Sequence, residues 1–560
     1  MFTDLNTLFR MDKLTATEGN FYIYDFSLSI VRLTNRFTSF GFLQSTYYDP
    51  LVSQLCYTYL PNVITYSLGI SDDAPTDNWF IFLPFNRKKF ISQVSSVKTF
   101  AKTGAFLTFK NDSPQVFQGV DTLEMDGSGT KVIIGDGGLF SKEAQNIVVA
   151  DTPYMYGSCQ GKLSVISTPA GLYYISQDQG KVFTYGEGLQ EINQAGMKWW
   201  FDEFLPCKLT EDFPEFPYLD NPVSGVGTQA IYDNYNSVFY FCKKDYKLKK
   251  FDSQGNLLAG KVIYINNGRT SSFQYTPTDS AGNPTSPLNL ALGDPMIFED
   301  ASFTVSYDPK SKFWISFHDW HPDLTIPSKA SFVSTHNNGL YKHNFDCITY
   351  CNFYGVQYPF EIEFPVSTGQ TVTTLRSIEY VLECYRRDNN YCVDQFNVLD
   401  YNFDKMVVYN TEQISGYLNL NIFPKNNITL SLDYPKLNTS GQSFDILFSK
   451  EESKYRINQF WDITKDRGEF PVGSGYPPTG QLIPGTTVLL GNYPQDKLWV
   501  TESNGYKKSI NPLAVDYNKP QMQRKKFRQM VNLMYLIKTD SYDTNMILKL
   551  YNTKNQYSPR

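Results

Sequence analysis

Between residues 171 and 510 one pattern keeps returning: an aromatic or β-branched run, a short group of turn formers, then a second such run. "GLYYISQDQGKVFTYGEGLQEI" (171–192) sets two aromatic runs around Gln-Asp-Gln-Gly. "AIYDNYNSVFYFCKK" (230–244) does so around Asp-Asn-Tyr-Asn, and "FTVSYDPKSKFWISFHDW" (303–320) around Asp-Pro-Lys-Ser. "VLDYNFDKMVVYN" (398–410) and "NYPQDKLWVTESNGYKKSI" (492–510) continue it. Asp and Asn bond the backbone ahead of them, Pro presets φ, and Gly accepts positive φ, so each group favours a turn. The flanking runs suit a pleated, half-buried surface. Such text predicts antiparallel hairpins, and helical periodicity is hard to find beside it. An aromatic content of 16% against 19% charged residues also excludes a disordered chain.

Two of the units share a finer form. Tyr232-Asp233 and Tyr307-Asp308 each precede four turn residues and an aromatic strand, and Tyr48-Asp49-Pro50 is a candidate third. Hairpins spaced by long loops are how a β-propeller builds its blades. The expected fold is mainly β: a β-propeller-like domain with added β-sandwich-like domains. With 560 residues the chain exceeds one core. The expected divisions are an aromatic N-terminal region over 1–95, a propeller-like domain over 96–425, and a C-terminal β domain over 426–560. "AGMKWWFDEFLP" (195–206) reads as a short helix. The alternation of Val531, Leu533, Tyr535 and Ile537 favours a strand near the C-terminus. In "KFWISF", alternation sets Phe313, Ile315 and Phe317 on one face and Trp314 and Ser316 on the other, with Trp314 a core anchor.

Fifty basic residues against 56 acidic give a net charge of −6, which argues against a general nucleic-acid binder. Asp4, Arg10, Asp12 and Lys13 break any secretory signal core. No run approaches the ~18 apolar residues of a membrane span. The chain is therefore expected to be soluble and made in a reducing compartment. Its cysteines, Cys56, Cys159, Cys207, Cys242, Cys347, Cys351, Cys384 and Cys392, are scattered through strand-like text and read as buried free thiols.

One cluster invites a metal. His318, His321, His336 and His343 are the only histidines, and Cys347 and Cys351 follow them closely. Zinc accepts these atoms, but the spacing fits neither a knuckle nor a ribbon. The expectation is no bound metal, with His318 and Asp319 capping a strand end at a blade edge. Asp126 and Asp136 sit in "MDGSGT" and "GDGG", which lack the ordered ligands of a calcium loop and read as turns. No phosphate loop, dinucleotide fingerprint or nucleophile elbow is present, so no catalytic, cofactor or metal residue is assigned. The basic run Arg524-Lys525-Lys526, with Arg528, is able to meet phosphate but reads more readily as a solvated strand entry or a subunit contact; Arg87-Lys88-Lys89 lies in a stretch (85–104) that reads as a boundary, and both clusters are expected at subunit contacts or on the outer surface.

Three segments in order carry a resemblance. "FTVSYDPKSKFWISFHDWHPD", "NFDKMVVYNTEQISGYLNL" (402–420) and "SKYRINQFWDITKDRGEF" (453–470) resemble the muzzle, or stabilisation, proteins of crAss-like phages. The chain is similar, more distantly, to tail nozzle or tubular proteins of other short-tailed phages. The resemblance spans about residue 150 to the C-terminus. It implies a non-enzymatic virion protein with a β-propeller and added β domains. It further implies a closed ring, a hexamer, at the distal end of the tail, contacting other tail proteins and passing double-stranded DNA without sequence-specific binding. Family members are usually longer, and residues 1 to 90 begin as if inside a domain. This chain is thus expected to be a short member or the C-terminal part of a larger product. Two other functions suit the same composition: a carbohydrate-binding or carbohydrate-cleaving β-propeller, and a receptor-binding tail protein.

Overall fold

A computed structural model describes residues 60–67, 86–100, most of 104–420 and most of 447–558; the longest spans outside it are 1–59, 68–85, 421–446 and 466–497. Tyr48, Asp49, Cys56, Asp126, Asp136, Cys347 and Cys392 lie outside the described residues. The chain is mainly β, in many antiparallel sheets. No helix among the described residues is long and apolar enough to cross a membrane.

Three four-stranded meanders and one of three strands follow each other along the chain. The first holds β1 (Val94–Phe100), β2 (Gly104–Phe109), β3 (Gln115–Phe117) and β4 (Gln145–Asn146). The second holds β5 (Val165–Thr168), β6 (Gly171–Ser176), β7 (Lys181–Tyr185) and β8 (Leu189–Glu191). The short helices α1 (Lys198–Phe204) and α2 (Leu209–Asp212) then lead to the third. It is built of β9 (Gly227–Asp233), β10 (Val238–Lys244), β11 (Phe303–Asp308) and β12 (Phe313–His318). Between β10 and β11 two small sheets, one of two strands and one of three, span Tyr246 to Asp300 and share a core with Phe213, Phe216, Phe273 and Phe298. The fourth meander is β13 (Leu324–Pro327), β14 (Phe332–His336) and β15 (Gly339–Lys342).

The hairpin text becomes hairpins for a visible reason. At the β9–β10 turn, the Asp233 carboxylate accepts from the Tyr235 N–H at 2.9 Å and the Asn236 side chain at 2.7 Å. At the β11–β12 turn, Asp308 accepts from the Lys310 and Ser311 N–H groups at 2.8 and 3.3 Å. The residue just before the second strand is left-handed in both, Ser237 at φ 59° and Lys312 at φ 62°. Gly180 takes the same place before β7 at φ 63°, with no Cβ strain.

The meanders stack face to face. Phe106 and Val116 of the first pack on Tyr174 and Phe183 of the second. Tyr173, Ile175 and Val182 of the second meet Phe239, Phe241 and Val305 of the third, with Trp200 and Phe201 of α1 filling in. Ile231 and Cys242 of the third meet Phe332 of the fourth across Trp320. The first strands also lie side by side: β1 against β5, β5 against β9, β9 against β13. Ser167 donates to the Thr99 carbonyl at 2.8 Å, Ser164 to the Thr228 carbonyl at 2.9 Å, and Gln229 to the Pro322 carbonyl at 3.0 Å.

Most of the described strands from Phe360 onward form one two-sheet unit. One sheet places β22 (Val531–Lys538) between β16 (Phe360–Ser367) and β18 (Lys405–Tyr409). The other is organised on β17 (Thr373–Arg387), paired with β19 (Lys454–Asn458) and β23 (Met546–Ser558). Leu375, Ile378 and Tyr380 face Met406, Val408, Met534 and Leu536 in a shared core. Because β16 and β18 pair with β22, the boundary expected at 425/426 falls inside this unit. The boundary expected at 95/96 likewise falls within β1.

The alternation expected for "KFWISF" needs correcting. Tyr307 pairs with Trp314 but Ser306 pairs with Ser316, so Ile315 is an extra, bulged residue. The bulge turns Trp314 and Phe317 to the same side. Trp314 lies 4.7 Å from Phe201 and donates its indole N–H to the Ile192 carbonyl at 3.3 Å, while Phe317 meets Trp200 at 5.0 Å. Trp314 is half-buried rather than a full core anchor; Phe313 and Ile315 are left 64% and 56% exposed.

Candidate functional site

The four histidines do gather in space, around Trp320 at the junction of the third and fourth meanders. His318 ends β12, His321 lies in the connector, His336 ends β14, and His343 follows β15. All four are half-buried. His318 shares a 2.9 Å hydrogen bond with the Ser306 hydroxyl across the strand pair, in place of the expected local cap. His336 Nδ1 meets the His321 carbonyl at 3.1 Å, and its ring stacks on Tyr354 at 4.6 Å. His343 Nε2 meets the Ser334 hydroxyl at 2.7 Å, which meets the Tyr354 hydroxyl at 2.8 Å. The His343 ring stacks on Phe332 at 4.1 Å and lies 4.9 Å from Trp320. Asp319 is turned away to pair with Lys507 at 2.8 Å.

This chemistry differs from a ligand shell. Among the described residues no three His, Cys, Asp or Glu side chains are grouped to hold a metal ion. The rings serve as aromatic surface whose nitrogens meet hydroxyls and a carbonyl. Burial pushes His318 and His343 down to about 4, and lowers His321 as well. Burial pushes the nearby Cys242 thiol up to about 12 and Cys351 up to about 11, so neither is a ready thiolate. Sequence order found the histidines but not Ser334, Trp320 or Tyr354, which organise them; their contacts cross between strands that no local spacing relates.

The basic runs take different surroundings. Arg87–Lys89 forms a short strand paired with Val63–Thr65, and the Lys88 ammonium lies 5.6 Å from the centre of the Phe117 ring. Lys525 and Lys526 are exposed on a two-residue strand paired with Trp461–Asp462, pinned by the fully buried Phe527. Arg524 donates to the Lys519 carbonyl at 2.9 Å.

Two further features lie away from the histidine rings. A hairpin of β20 (Trp499–Thr501) and β21 (Lys508–Ile510) joins the meanders to the two-sheet unit. At its tip Tyr506 stacks on Phe317 at 4.9 Å and donates to the His318 carbonyl at 3.1 Å, and the neighbouring Lys507 holds Asp319. On its other side Lys508 bonds Glu363 at 2.6 Å and the Tyr409 hydroxyl at 2.5 Å, with Trp499 and Tyr535 completing an aromatic wall. Gly505, at φ 80°, presses on Phe204 where a Cβ would come within 2.4 Å of the ring. The second feature is a cleft of about 280 Å³ between the second and third meanders, walled by Tyr173, Thr184, Gln190, Gln194, Tyr307 and Lys312. No known family and no curated protein matches this sequence.

Proposed function

We propose that this chain is a structural virion protein of a short-tailed phage, forming a ring at the distal tail that retains and then passes genomic DNA. It is made in the bacterial host cytoplasm, assembles with copies of itself as a hexamer, contacts other tail proteins, and carries out no catalysis. The reading rests on the resemblance to crAss-like phage muzzle proteins. The observation that supports it best is the stacking of successive meanders with their first strands side by side, which is compatible with blades about a propeller axis. The two sheets around one core support the sandwich-like part of the expectation. The test is the native mass of the purified chain, followed by imaging. A sixfold ring is the expected result; a strict monomer at high concentration and in virions would overturn it.

The cleft favours a second reading, a carbohydrate-binding or receptor-binding propeller, because hydroxyls, amides and one ammonium converge there. Titration with host surface glycans separates the two. Binding abolished by Gln190→Ala and Thr184→Ala would favour that reading over a purely structural part.

A further inference from the structure

The junction of the third and fourth meanders combines an apolar centre with titratable rings. Its apolar centre is Trp320, Ile231, Cys242 and Phe332, edged by Tyr240, Phe353 and Tyr354. Two titratable rings are packed directly into that edge, with Tyr240 only 5.2 Å from His318 and Trp320 only 4.9 Å from His343, and a third, His321, follows Trp320 in the connector with its Nδ1 3.5 Å from the Thr304 hydroxyl. We propose that this junction is an acid-sensitive latch, closed while His318, His321 and His343 are neutral and opened when they take up protons.

The hydrogen bonds suit neutral rings. The Ser334 hydroxyl can accept from Tyr354 and donate to His343 Nε2. A doubly protonated ring has no acceptor nitrogen, so that relay must reverse and a positive charge must enter an aromatic pocket. The charged groups facing the rings do not offset this. Asp319, beside His318 and His321, is paired with Lys507, whose own charge opposes protonation of His321. Asp300 favours a charged His321 but is outweighed by burial, and Asp233 favours a charged His343 but is committed to Tyr235 and Asn236. Asp323 is bound by Lys244 at 2.5 Å and by the Asn337 N–H at 3.0 Å. The remaining titratable neighbours, Tyr240, Tyr354, Tyr358, Cys242 and Cys351, are all raised by burial and stay neutral. His336 adds a fourth ring that opposes charge on His321.

The sign follows from the lowered rings. Each is held below the ordinary value of about 6.5, so the open form binds more protons. The closed junction is fully favoured above that value and loses stability as pH falls towards 4. At pH 5 a ring held at about 4 in the closed form and released to about 6.5 shifts the opening equilibrium by up to roughly thirtyfold.

Hydrogen exchange of the intact chain at pH 7.5 and pH 5, corrected for intrinsic rates, tests the latch. Amides of β13, β14 and β9 are expected to exchange more than tenfold faster at pH 5, while those of β18 and β22 stay unchanged. Equal acceleration in both units, or none at the junction, would overturn the proposal. The double variant His318→Gln, His343→Gln keeps neutral hydrogen-bonding side chains and should lose most of the acid response; a full response retained would count against it. Should that variant fail to fold, an NMR titration of the wild-type rings decides. Values near 4 to 5 are expected, and ordinary values near 6.5 for His318 and His343 would sink the idea.

Discussion

Trp314 shows how one inserted residue redirects a strand. Its ring touches Phe201, Tyr307 and Phe241 at 4.7, 5.1 and 5.7 Å because the Ile315 bulge aims it inward. Trp314→Ala is expected to cost about 2–3 kcal/mol in urea unfolding, below the roughly 3–5 of a fully buried ring. An unchanged midpoint would contradict this packing. Lys243 and Asp245 are a harsher case. Both side chains are fully buried, 2.7 Å apart. Lys243 also donates to the carbonyls of Phe204, at the end of α1, and Pro206, just beyond it, at 2.7 and 2.8 Å, while Asp245 accepts from the Lys208 and Leu209 N–H groups. Lys243→Met leaves a buried carboxylate without its cation, and about 3–5 kcal/mol of stability should be lost in the same measurement. The turns were legible because Asp233 and Asp308 act within three residues of themselves. The bulge was not, since it is set by pairing with β11. "KKD" did carry a hint: residues two apart in a strand share a face, which places Lys243 beside Asp245.

At the scale of elements, the β20–β21 hairpin is the piece that couples the two halves. Tyr506 and Lys507 hold the third meander, and Lys508 holds the two-sheet unit. The double variant Tyr506→Ala, Lys507→Ala is expected to split one calorimetric transition into two, with the meanders melting first. A single unshifted transition would show that the hairpin does not couple them. Its Asn504-Gly505 turn was readable from sequence, and so were α1 and the strand character of β22. What β22 concealed is its position. Asn532, Met534 and Leu536 are buried as well as Tyr535 and Ile537, because β22 has a partner on each side and a neighbour on each face. Alternation describes a strand with one wet face, so it misjudges a central one.

For the whole molecule, order along the chain and order in space agree across the four meanders, which is why a mainly β architecture could be read without long-range information. They part company in the two-sheet unit, where β16 finds its partner β22 across more than a hundred residues. No local pattern encodes such a pairing, so the expected boundary at 425/426 cut through it. In the proposed ring, a chain of net charge −6 should present a neutral or acidic bore, because each phosphate neutralised by Lys or Arg would add affinity that holds the DNA back. Arg87–Lys89 and Lys525–Lys526 should therefore face neighbours or the outside; an imaged bore ringed by either cluster would refute that placement. The bulge in β12 has a last consequence, in what the molecule refuses to do. β12 is the outer strand of its meander, and no described strand pairs with its free side. With Phe313 and Ile315 exposed, a straight β12 would offer an apolar template for strands of unrelated chains. The extra residue interrupts the regular spacing of its N–H and C=O groups and twists the edge, so an incoming strand cannot stay in register along it. One misfit residue thus guards a crowded chain against sticking to itself at random.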